Sequence, residues 1–121
     1  MGREDDIEFI KWSKQVKIRD GFCCTICGER GGYLESHHLN SWDTFIEERY
    51  DESNGTSLCL HHHRSFHEAF GYGNNTKDQF KQYLIIIKKF EQIIKLRMIL
   101  NEQLRQSISK EKQSEVGVQE G

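Results

Sequence analysis

Apolar side chains recur at helical spacing near the N-terminus, where Phe9, Trp12 and Val16 fall on one face of a helix predicted from about Asp6 to Asp20. Asp5 with Glu8 three residues later is a weak capping signal, and Gly21 ends the segment. The stretch from Tyr33 to Leu39 alternates apolar and polar, the period of a short strand, and Thr56-Ser57-Leu58 reads as a strand returning after a tight turn at Asn54-Gly55. Between them the chain is charged and irregular, with at most one helical turn near Thr44 to Arg49. A second helix is predicted from Leu60 or His61 to Phe70, stopped by Gly71-Tyr72-Gly73. Thr76 with Gln79 forms a capping box for a long helix running to about Ser107, with Phe80, Leu84, Ile87, Ile94 and Met98 on a recurring stripe. From about Ser109 the chain is polar and expected to be a disordered tail.

Composition changes this picture in two ways. An apolar fraction of 36% beside 30% charged residues is lean for a small core, so a metal or disulfides are expected to reinforce it. Four cysteines without a leader or a long apolar run are expected of an intracellular protein with reduced thiols and no membrane segment. Net charge of -2 is awkward for a nucleic-acid binder. The acidic residues cluster, however, which leaves room for a basic face elsewhere.

The chemistry-bearing residues sit on those predicted elements. Cys24-x2-Cys27 is a knuckle whose spacing lets two thiolates reach one tetrahedral centre, and Cys59-x2-His62 supplies a second close pair. Cys23 is the spare thiol, with the alternative that it replaces Cys24. His63 and His67, four apart, stack on one helix face, while the adjacent His62 points about 100° away, so the segment can serve two different metals. His37 and His38 end the first strand and point to opposite faces, which gives them separate roles; the plainer reading is one core and one surface histidine. Asn54 is either a turn residue or a group that holds a nearby histidine in place. Trp12 is read as a core anchor rather than a stacking platform for a base.

Taken in order, Cys-x2-Cys, His-His, Asn-Gly and Leu-Cys-x2-His-His-x3-His resemble the HNH (His-Asn-His) endonucleases, in particular the small zinc-stapled members found in phages and as homing-type nucleases. The resemblance covers roughly residues 12–73. It implies an α+β fold: a small, treble-clef-like ββα-metal finger stapled by a structural zinc, here with an N-terminal helix and a long C-terminal one. Residues 1–73 would form the nuclease domain, 74–108 the helical extension and 109–121 the tail. By the same resemblance His38 is the general base and Asn54 orients it. His37 and His63 bind the catalytic ion, and His67 is its third ligand or a phosphate contact. Cys24, Cys27, Cys59 and His62 hold the zinc; relatives usually carry cysteine where this chain has His62.

Phosphodiester hydrolysis fits those residues, because a neutral histidine takes a proton from water near cellular pH and a divalent ion stabilises charge on the phosphate. An all-histidine site favours Zn2+, Ni2+, Co2+ or Mn2+ over Mg2+, although the phosphate itself supplies oxygens. Arg64 is a candidate phosphate contact. The expected partner is DNA, with the long helix free to pair with a second copy or a partner protein. Two rival readings are a non-catalytic zinc-stapled DNA-binding module and a zinc-dependent interaction protein; neither needs His38.

Overall fold

Asp6, not Asp5, starts the first helix. In the computed structural model, which describes residues 3–120, its carboxylate accepts the backbone N–H groups of Glu8 and Phe9 at 2.9 and 3.3 Å, which satisfies two of the donors a helix start leaves open. Helix α1 covers Ile7–Arg19 and buries Trp12 and Val16. Asp20 caps its end and accepts the backbone N–H of Ser57 at 2.9 Å, while Arg19 donates to the carbonyls of Glu52 and Gly55. The end of the helix is thereby tied to the sheet.

Two antiparallel strands follow, β1 over Leu34–His38 and β2 over Gly55–Cys59, paired from Leu34 opposite Cys59 to His38 opposite Gly55. The tight turn expected at Asn54-Gly55 is not formed. Asn54 closes a 3-10 turn (Glu52–Asn54) and Gly55 is extended at φ -126°. Glycine is needed here for space: a Cβ at residue 55 would lie 2.5 Å from Val16 Cγ2 and 2.7 Å from Trp12 Cζ2. Its absence lets α1 close onto β2.

Cys59 ends β2 and caps helix α2, Leu60–Phe70, which stops at Gly71 with φ +86°, a conformation glycine adopts at no steric cost. Because neighbouring side chains on a strand point to opposite faces, β1 is covered on both sides. His38 faces α1, stacked on Trp12, and His37 faces α2, where Phe66 is fully buried. Among the described residues the architecture is α+β, a two-stranded sheet with three α-helices.

Helix α3 spans Lys77–Glu120. The expected capping box forms reciprocally, Gln79 N–H to Thr76 Oγ1 and Thr76 N–H to Gln79 Oε1, both at 3.2 Å. The chain divides into two compact units, Met1–Leu84 and Ile85–Gly121. The first contains the opening turns of α3, with Phe80 and Tyr83 buried. The second is the remainder of α3, where large apolar side chains such as Phe90, Met98 and Leu100 are exposed. The tail expected from Ser109 is helical to Glu120, and Gly121 lies outside the described residues. Lys110, Glu111, Lys112 and Gln113 are polar but good helix formers, so polarity removed the burial signal without removing helix propensity. No helix among the described residues is long and apolar enough to cross a membrane.

Candidate metal centres

The knuckle after α1, the end of β2 and the first turn of α2 bring Cys24, Cys27, Cys59 and His62 together. The sulfurs of Cys27 and Cys59 are 3.9 Å apart. His62 Nδ1 lies 3.2 Å from Cys59 Sγ and 3.9 Å from Cys24 Sγ. Bonds of about 2.0–2.3 Å at tetrahedral angles separate ligand atoms by roughly 3.4–3.8 Å, so the four donors are spaced to hold a metal ion such as zinc. Their electrostatics agree. Burial works against a Cys24 thiolate, but the backbone amides of Cys27, Cys59 and Ile26 outweigh it and hold the thiol below its ordinary pKa. Cys27 is pushed up to about 11, by burial first and then by its neighbour Cys24. A second thiolate here therefore calls for a cation. Cys23 stands outside the group, its Sγ on the carbonyl of Gly21 at 3.3 Å, and does not replace Cys24.

A second group forms on the other side of α2. His63 and His67 lie one turn apart with their rings edge to face, centroids 4.7 Å, and His37 reaches them from β1 at 5.1 and 5.4 Å. Which nitrogens are bare follows from their partners. His67 Nδ1 lies 2.8 Å from the carbonyl of Gly71, which can only accept, so Nδ1 carries the proton and Nε2 is free to bind. His63 Nδ1 pairs with the Glu35 carboxylate, with the same consequence. The two Nε2 atoms face each other at 3.0 Å. His37 Nε2 is buried and has no hydrogen-bond partner among the described residues. Three ring nitrogens thus converge within 4.8 Å of one another, and bonds of about 2.1 Å at tetrahedral angles would draw them to roughly 3.4 Å.

A metal-free account would need a proton between the two Nε2 atoms, carried by His63 or by His67. Burial lowers the His63 pKa against the opposing pull of Glu35, and burial followed by the charges of His63 and His67 drives His37 down to about 3. His37 and His63 are thereby held toward the neutral form, which donates a lone pair. Glu35 is the member that motif reading overlooked. It sits two residues before His37 and so on the same strand face, and it fixes the tautomer of His63 as carboxylates commonly do for metal-bound histidines.

His38 sits on the opposite face of β1. It is stacked on Trp12 at 3.7 Å and 14°, with Trp42 edge-on at 5.6 Å. Its Nε2 lies 2.8 Å from the carbonyl of Arg49 and therefore carries the proton, leaving Nδ1 a bare acceptor. Burial holds the ring below its ordinary pKa. Asn54 is fully buried, but its side chain serves the connecting loop: Nδ2 donates to the carbonyls of Asn40 and Glu48 at 2.9 and 3.2 Å, and Oδ1 accepts the N–H of Asn40 at 2.8 Å. It acts on His38 one step removed, by fixing the segment whose Arg49 carbonyl grips the ring. Trp42, without a place in the sequence reading, covers that segment, with the Arg49 guanidinium 4.4 Å from its ring.

Both faces of β1 open onto one cavity of about 830 Å³, whose lining includes His37, His38, His63 and His67. Arg3, Lys17 and Arg64 contribute positive charge to its wall, and Tyr72 stacks on His67 at 4.6 Å. Comparison with known protein families, curated proteins and solved structures finds no match to this chain.

Proposed function

We propose that this chain is a metal-dependent DNA endonuclease of the HNH type, hydrolysing phosphodiester bonds with His38 as general base. The observation that carries the reading is the pairing of two things in one cavity: three histidine nitrogens gathered between β1 and α2, and next in sequence to His37, on the other face of β1, a buried histidine with a free Nδ1. A zinc-stapled binding module or interaction protein has no use for either.

In this reading the Arg49 carbonyl holds the proton of His38 on Nε2, so Nδ1 is the atom that accepts a proton from the attacking water. Trp12 keeps the ring from rotating, and its lowered pKa keeps it unprotonated at neutral pH. A divalent ion (Mg2+, Mn2+, Ni2+ or Zn2+) held by His37, His63 and His67 would supply charge stabilisation at the phosphate and the departing oxygen. Glu35 orients His63 for that task. Arg64, Lys17 and Arg3 line the wall where a phosphodiester backbone would enter. The Cys24, Cys27, Cys59 and His62 group, with zinc, fixes the start of α2 and with it His63 and His67.

The test uses plasmid DNA and protein stripped with a chelator, then supplied with each of the four ions. Nicking or cutting with at least one is expected, and His38→Ala should slow it about 10²–10⁴-fold. No cleavage with any ion would sink the nuclease reading and leave the binding module. Equal cleavage by His38→Ala would remove His38 as the base.

A further inference from the structure

We infer that residues 85–113 of α3 pair with the same stretch of a second copy of the chain, antiparallel, about a two-fold axis at Ile99. This is independent of the nuclease reading. Phe90, Ile94, Leu104 and Ile108 keep between 44% and 62% of their surface exposed, which a helix in water does not sustain without a partner. They repeat as heptads: Ile87, Ile94, Asn101 and Ile108 at the first position, and Phe90, Arg97, Leu104 and Glu111 at the fourth. Ile86, Ile93, Met98 and Leu100 flank that seam. Eight such side chains from each copy, at roughly 100 Å² apiece, would remove about 1,600 Å² from water, the size of a stable interface.

The polar residues in the seam choose the direction and the register. In a parallel pair, Arg97 of each copy would face Arg97 of the other across the core, like charges at close range. In the antiparallel pair centred on Ile99, Arg97 faces Asn101 of the second copy, a donor against a carboxamide oxygen. Ile94 then faces Leu104, Phe90 faces Ile108, and only at the solvent-open ends of the seam does an apolar residue, Ile87, meet a charged one, Glu111. Sliding by one heptad sets Asn101 against Phe90 or Leu104, and Arg97 against Ile94 or Ile108, burying polar groups without partners. Charge on the flank agrees, because Glu91 meets Arg105 of the second copy, twice by symmetry. Within one chain Arg105 leans on Glu102 at 3.4 Å, an exposed pair of little worth.

The full-length protein should sediment as two chains at low salt. Glu91→Lys and, separately, Arg105→Glu should each raise the dissociation constant about tenfold by setting like charges opposite. The Glu91→Lys/Arg105→Glu swap should restore pairing. Lys95→Glu, off the seam, should change nothing, and helix content by circular dichroism shows whether each variant is folded. A chain that stays single at about 100 µM, or assembles as four, overturns the proposal. So does a swap that behaves no better than the single reversals, since in a parallel pair Glu91 and Arg105 never meet.

Discussion

Asn54 concentrates more structural consequence than any other single side chain between the strands. Its amide makes three hydrogen bonds without touching His38, the residue it is expected to serve. Truncating it strands the N–H and C=O of Asn40 and the C=O of Glu48 in a fully buried site, where each unmet group costs about 1–3 kcal/mol unless water enters. Asn54→Ala should therefore lower unfolding stability by roughly 2–4 kcal/mol, read as a fall in the urea midpoint. Asn54→Asp keeps the acceptor for Asn40 N–H but offers nothing to either carbonyl, so it should be nearly as damaging. A midpoint unchanged in Asn54→Asp would mean that the two donated bonds contribute nothing.

At the scale of elements, the sequence made the candidate ligand groups legible and hid their surroundings. Cysteine and histidine spacing sorts Cys24, Cys27, Cys59 and His62 from His37, His63 and His67, because ligand geometry is set within one knuckle, one strand face and one helical turn. Helix α2 was equally plain, bounded by Cys59 and Gly71. What local pattern could not show was any role decided by residues far along the chain. Gly55 looked like half of a tight turn, yet its smallness answers to Val16 and Trp12. His38 is gripped by Arg49, and Glu35 became a partner only when α2 folded over β1. The two metal groups should separate in experiment as they do in space. Cys59→Ser is expected to abolish the tightly held metal and loosen the start of α2. Cys23→Ser, one residue from a ligand, should keep full metal content and stability. Loss of metal in Cys23→Ser, measured by elemental analysis, would reverse the assignment of Cys24.

For the whole molecule the buried histidines make stability depend on pH in a definite direction. His37, His38 and His63 all have pKa values held below the ordinary 6.5, burial being the first cause in each, with His37 taken to about 3. In the unfolded chain the same rings bind protons near pH 6.5. Below that pH the unfolded state holds more protons than the folded one, so stability rises with pH there. The contribution is complete above about pH 6.5 and is lost as pH falls toward the folded values, at up to about 1.4 kcal/mol per pH unit for each ring. Where a metal is bound, proton competition for its histidine and thiolate ligands would act in the same direction. The urea midpoint should stay level from pH 8 to about 7 and then fall steadily to pH 5. Replacing His37 by phenylalanine removes one of those proton sites while keeping an aromatic ring against Phe66 and Phe80. The decline should become shallower in that variant even though its three-histidine group is broken. An identical slope would show that His37 takes up its proton as readily in the fold as in the unfolded chain, against the burial that holds its pKa down.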